Sequence, residues 1–149
     1  MKGQIADQIQ PGSRWLSIFI GEKKSAIRLS FLIRVLDQVE LFKVPLLPRE
    51  FKGVIYFNEQ AIPIVNWEAF GIEIFLNPLV LVLEQGKDRI GIEVEGTGNV
   101  EEYSPGPDAK EDGFWIELDS DKGVWGLDEK RLFKTLRQSR VSRDFEPGT

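Results

Sequence analysis

Short runs rich in Ile, Val, Leu and Phe recur along this 149-residue chain at a spacing that leaves little room for helices between them. They fall at Trp15 to Ile20, Ser25 to Leu29, Gln38 to Leu41, Gly53 to Phe57, Ala61 to Val65, Leu79 to Glu84, Arg89 to Val94, Asn99 to Tyr103, Phe114 to Leu118 and Val124 to Gly126. Turn residues separate them, and Gly21-Glu22-Lys23-Lys24, Asn58-Glu59-Gln60 and Gln85-Gly86-Lys87-Asp88 read as hairpin connections. Branched and aromatic side chains suit a pleated, half-buried surface, so the pattern predicts an all-β barrel or sandwich rather than alternating βαβ units. With 42% hydrophobic and 29% charged residues, the chain can bury a core within one ordinary domain or two small subdomains.

Ile18-Phe19-Ile20 and Leu79-Val80-Leu81-Val82-Leu83 break the alternation of a strand with one wet face, which predicts cover on both of their sides. Helical signals are few. Asn66 is placed to cap a turn through Phe70 that ends at Gly71, and Ser30 to Val35 suit another short turn. A longer helix is predicted from Asp128, where Asp128 and Glu129 suit the N-terminal dipole and Leu132, Phe133 and Leu136 share a face. Pro105 to Gly113 is expected to be a mobile loop, because its prolines cannot donate ladder hydrogen bonds. The domain is expected to span 13–138, with residues 1–12 and 139–149 as flexible tails.

The chain contains no histidine and no cysteine. The usual base at neutral pH, the Ser-His and Cys-His dyads, disulfides and thiolate metal ligands are therefore absent together. No apolar run reaches the length of a membrane span and no signal peptide opens the chain, so the expected location is cytoplasmic, without membrane insertion. A net charge of -5 disfavours nucleic acid as a partner. The tail from Asp128 to Arg143 runs the other way, with Lys130, Arg131, Lys134, Arg137, Arg140 and Arg143 against Asp128 and Glu129. Lys130, Lys134 and Arg137 share a helical face, read first as a solvated one.

Three motifs invite chemistry and lose to plainer readings. Asp119-Ser120-Asp121-Lys122-Gly123 opens like a calcium loop, but its glycine comes one residue early and Lys130 stands where the closing glutamate belongs. A polar hairpin turn accounts for it. Gly96-Thr97-Gly98 lacks the later glycine, lysine and helix of a phosphate loop and reads as a bulge or a tight bend between strands. Glu93 with Glu95 alternates with Ile92 and Val94 as a wet strand face, and neither this pair nor Glu101 with Glu102 calls for acid-base catalysis. No catalytic residue, metal ligand or cofactor site is assigned.

The segment Phe51-Lys52-Gly53-Val54-Ile55-Tyr56-Phe57-Asn58-Glu59-Gln60-Ala61-Ile62-Pro63-Ile64-Val65-Asn66-Trp67, closed by Phe70-Gly71, resembles the strand-turn-strand signature of CheW-like coupling proteins. The likeness extends through Trp15 to Ile20, Leu79 to Glu84, Gly91-Ile92-Glu93-Val94-Glu95-Gly96 and Trp125-Gly126-Leu127-Asp128. It implies two intertwined five-stranded barrels of the Src-homology-3 type sharing a hydrophobic core, with short helices. It also implies a non-catalytic adaptor in chemotaxis-type signal transduction, bridging the cytoplasmic tip of a chemoreceptor to the regulatory domain of a histidine kinase within membrane-associated arrays.

Carried onto this sequence, the family's contacts fall on Leu32, Val35, Gly53, Val54, Gly91, Thr97 and Val100 as a recognition groove. Asn58 stands where the family places a partner-binding arginine, Glu59 replaces the glycine of that turn, Asn66 replaces an aspartate, and Arg34 sits where an acidic residue is common. An amide does not reproduce the charge-assisted hydrogen bonds of a guanidinium. Two alternatives stay open: a diverged paralogue that binds the kinase or another signalling partner without bridging receptors, and a β-barrel that binds a small ligand.

Overall fold

The computed structural model describes residues 13–21, 23–73 and 77–144 of the chain. Its strands are β1 (Ser13–Ile20), β2 (Lys23–Arg28), β3 (Leu32–Leu36), β4 (Phe51–Phe57), β5 (Gln60–Val65), β6 (Leu79–Gln85), β7 (Asp88–Val94), β8 (Gly96–Tyr103), β9 (Glu111–Asp112), β10 (Trp115–Asp119) and β11 (Val124–Leu127), followed by helix α1 (Glu129–Asp144). Single turns of 3-10 helix cover Leu29–Phe31 and Trp67–Phe70. One sheet runs β8-β1-β2-β11-β10-β9 and the other β3-β6-β7-β5-β4. The chain starts in the first sheet, builds the whole of the second, and returns through β8, which pairs with β1, and β11, which lies parallel to β2. The second sheet is therefore one continuous stretch set between the two parts of the first, which is the expected intertwining. The first sheet has six strands rather than five, the addition being the two-residue β9.

Period-two alternation in the second sheet supplies two cores. Leu81 and Leu83 of β6, with Ile90, Ile92 and Val94 of β7, join Ile18, Ile20, Ile27, Trp115 and Leu127 of the first sheet in a seam. Val80 and Val82 face the other way, onto Ile55, Ile62 and Ile64, inside the second barrel. β6 is thus covered on both sides, as its unbroken apolar run requires. Trp67 ties the two sheets: its ring stacks on Trp115 at 6.2 Å, and its Nε1 donates to the Glu93 carbonyl at 2.8 Å. Helix α1 closes the seam with Leu132, Phe133 and Leu136, and the Asp128 carboxylate caps it by accepting the Arg131 N–H at 3.2 Å.

Several expectations are corrected. Ile18 and Ile20 are buried but Phe19 is 44% exposed, because its face of β1 looks onto Gly96 and Gly98 of β8, which carry no side chains to cover it. Residues 38–41 form no strand, and the strand falls instead on Leu32–Leu36, where a turn was expected. Asn66 makes no side-chain cap; its Nδ2 donates to the Arg49 carbonyl at 3.1 Å. The loop ending at Gly113 is pinned at that end, where Arg131 donates to the Gly113 carbonyl at 2.7 Å and pairs with Glu111 at 2.9 Å. Glu93 does not lie on a wet face: it is buried and pairs with Lys52 at 2.9 Å. Of the basic face, Arg137 is engaged by Asp88 at 2.8 Å, whereas Lys130 and Lys134 are exposed. The backbone of α1 runs on to Asp144, and of the expected tails at 1–12 and 139–149, residues 1–12 and 145–149 lie outside the described residues.

Candidate docking surface

The eight sequence-derived positions separate into an interior set and two exposed sets. Gly53 and Gly91 are interior spacers. A Cβ at Gly53 would stand 2.6 Å from the Phe42 carbonyl oxygen, and one at Gly91 would stand 2.5 Å from Ile64 Cδ1. Neither glycine can be enlarged without moving a neighbour. Val54 is buried and exchanges two 2.8 Å backbone hydrogen bonds with Phe42, so its strand edge is occupied by the chain itself. Leu32 is half-buried against the seam. These four residues shape the barrels more than they offer a surface.

The first exposed set lies at the mouth of the second barrel. Val35 projects from β3, an edge strand paired only with β6, and is 45% exposed beside the also exposed Ile33. Arg34, between them, reaches across to β4, with its guanidinium carbon 5.5 Å from the Phe57 ring centre. That contact places β3 next to Asn58 and Glu59, which follow Phe57 in a turn with φ of +51° and +62°. Val35, paired with Leu81 where Arg34 pairs with Val82, lies on the opposite face of β3 from Arg34. The second set, Thr97 and Val100, is exposed on β8 at the edge of the first sheet. The register of β1 against β8 shifts between Leu16 and Ile18, which places the irregularity expected of Gly96-Thr97-Gly98 opposite those residues.

A third exposed cluster was not foreseen. Phe42 packs edge-to-face on Tyr56 with ring centres 5.3 Å apart, and Val44 and Leu46 follow on the same connection. Tyr56 is 63% and Leu46 78% exposed. The signal was present in Phe42-Lys43-Val44-Pro45-Leu46-Leu47-Pro48, where apolar residues sit among prolines that keep them out of a sheet interior. Phe42 and Tyr56 are thus a contiguous exposed apolar pair rather than two scattered residues.

Lys23 lies over Trp115 and Trp125, at 4.7 and 5.5 Å from the ring centres, and burial lowers its pKa against the opposing pull of Asp112. Burial, with Glu101 and Asp119 nearby, raises that of Tyr103. Asp119 Oδ1 accepts the Lys122 N–H at 3.1 Å, which makes the calcium-like segment a self-bonded turn. Among the described residues no three carboxylates converge on a common point.

The same arrangement of strands is found in a solved structure. The scaffolding protein TtCheW from Thermoanaerobacter tengcongensis superposes with a TM-score of 0.66, over 78% of this chain and 88% of that one, at 16% sequence identity. The chain has the CheW fold. No protein-family model and no curated protein matches its sequence. The likeness to TtCheW therefore resides in backbone architecture, and the short signature from Phe51 to Trp67 forms the β4-turn-β5 hairpin and the 3-10 turn of that fold. Among the described residues no helix is long and apolar enough to cross a membrane.

Proposed function

We propose that this chain is a non-catalytic adaptor of chemotaxis-type signalling, working in the cytoplasm at receptor arrays. In this reading it joins the regulatory domain of a histidine kinase to the cytoplasmic tip of a chemoreceptor. The observation that carries the proposal is its fold, shared with a scaffolding protein over most of both chains. The exposed apolar residues support it, since Val35 and Tyr56 lie on the edge strands of the second sheet and Val100 on an edge strand of the first. The absence of histidine and cysteine fits a role with no covalent step.

Reconstitution with the receptor and kinase of the same organism tests the proposal. The protein is expected to co-sediment with both, and Val35→Glu or Tyr56→Glu to remove one partner at least tenfold while the fold persists. Asn58→Arg, tested in parallel, is expected to tighten binding at the barrel mouth by restoring a guanidinium at the turn. A protein that binds the kinase but no receptor would mark the non-bridging paralogue. One that ignores both would end the reading.

A further inference from the structure

The first residue of α1 is a glutamate with no exposure to solvent at all. Glu129 Oε2 accepts the backbone N–H of Arg28 at 2.8 Å, while Oε1 has no hydrogen-bond partner. The nearest cation is the Arg28 side chain, whose Nε stands 3.9 Å from Oε1, too far for a hydrogen bond. That guanidinium is instead drawn over the ring of Trp15, 5.0 Å from its centre, and is partly in water. Asp128, one residue earlier, adds a like charge. An ionised carboxylate in this position is half-satisfied, and a buried charge in that state opposes the packing that buries it.

We propose that docking of the C-terminal helix onto the seam is coupled to a proton on Glu129, so that the helix is clamped when the carboxyl is neutral and loosened when it ionises. The consequences are mechanical. Leu132, Phe133 and Leu136 follow Glu129 into the seam, and Arg137 ties the next turn to Asp88 and Gln85 at the β6–β7 hairpin. Releasing the first turn weakens the hold of all of them and uncovers apolar surface belonging to both sheets. The device needs no particular partner and stands apart from the adaptor reading.

The direction and range follow from the site. Burial, opposed by the Arg28 amide, the residue's own backbone N–H and the Arg28 charge, raises the Glu129 pKa from 4.5 to about 7. The docked state therefore holds the proton more tightly than the undocked one. Docking is strongest below pH 4.5 and weakens as pH rises toward 7, by up to about tenfold per unit, before levelling off above it.

Hydrogen exchange of the α1 amides in the full chain, corrected for the intrinsic pH dependence of exchange, provides the test. Between pH 5.5 and 6.5 the opening constant of the helix is expected to rise about tenfold, flattening above pH 8. In Glu129→Gln, which keeps the shape without the charge, protection is expected to be the same at every pH. Should that variant fold poorly, carboxyl carbon NMR of the wild-type chain reads the same quantity. A Glu129 midpoint near 7 that coincides with shifts of the α1 amides supports the latch. Protection that ignores pH, a variant that keeps the wild-type dependence, or a midpoint in the ordinary carboxylate range overturns it.

Discussion

Asn58 and Glu59 occupy the left-handed region of backbone space, where a side chain other than glycine or asparagine is strained by about 1–2 kcal/mol. Asparagine tolerates that conformation and glutamate does not, so the strain concentrates at Glu59, the position where the related signature has glycine. Glu59→Gly is accordingly expected to stabilise the protein by up to about 1 kcal/mol, after the greater chain entropy of glycine in the unfolded state is deducted. The midpoint of urea unfolding reads this directly, and a variant no more stable than the parent would mean that the glutamate side chain compensates elsewhere. The turn was legible in the sequence because its residue types announce it. The burial of Glu129 was not, since a glutamate at a helix start suits the dipole whether it faces water or the interior. Gly53 and Gly91 were similarly opaque: each is needed for what lies against it, Phe42 and Ile64, and those neighbours come from elsewhere in the chain.

At the scale of elements, helix α1 was readable from the spacing of Leu132, Phe133 and Leu136, because a 3.6-residue period is a local property. The same spacing predicts where substitutions matter. Phe133 is fully buried in the seam, and Phe133→Ala is expected to cost about 3–5 kcal/mol, whereas Lys134→Ala, on the exposed side, should stay within about 0.5 kcal/mol. Denaturant unfolding of the two variants separates the faces; comparable losses would mean that the helix is rotated from the position described. β3 was hidden for a related reason. Its alternation places Ile33 and Val35 in solvent and Leu36 against the inner core, so the strand lacks a one-sided apolar pattern and resembled a turn. Phe19 misled in the opposite sense, an apolar residue whose cover was inferred from its neighbours when glycines across the ladder left it open.

The whole molecule is governed by the way its two sheets are threaded. The seam takes Ile18 and Ile27 from the first sheet, Leu81 and Ile92 from the second and Phe133 from the helix, so no set of contiguous residues can complete it alone. The inner cluster of the second barrel, around Ile62 and Val82, lies on the reverse face of the same strands and loses its backing when the seam opens. The two barrels should therefore unfold as one cooperative unit rather than as two domains. Ile27→Val in the first sheet and Val82→Ala in the second are both expected to move a single transition, with tryptophan fluorescence and far-ultraviolet circular dichroism remaining coincident. The first should cost about 0.5–1.5 kcal/mol and the second more, as the larger truncation. Separate midpoints for the two probes, or a substitution in one barrel that leaves part of the transition in place, would show that each barrel holds itself. In one cooperative unit, a disturbance in the second barrel is felt in the first through this shared interior.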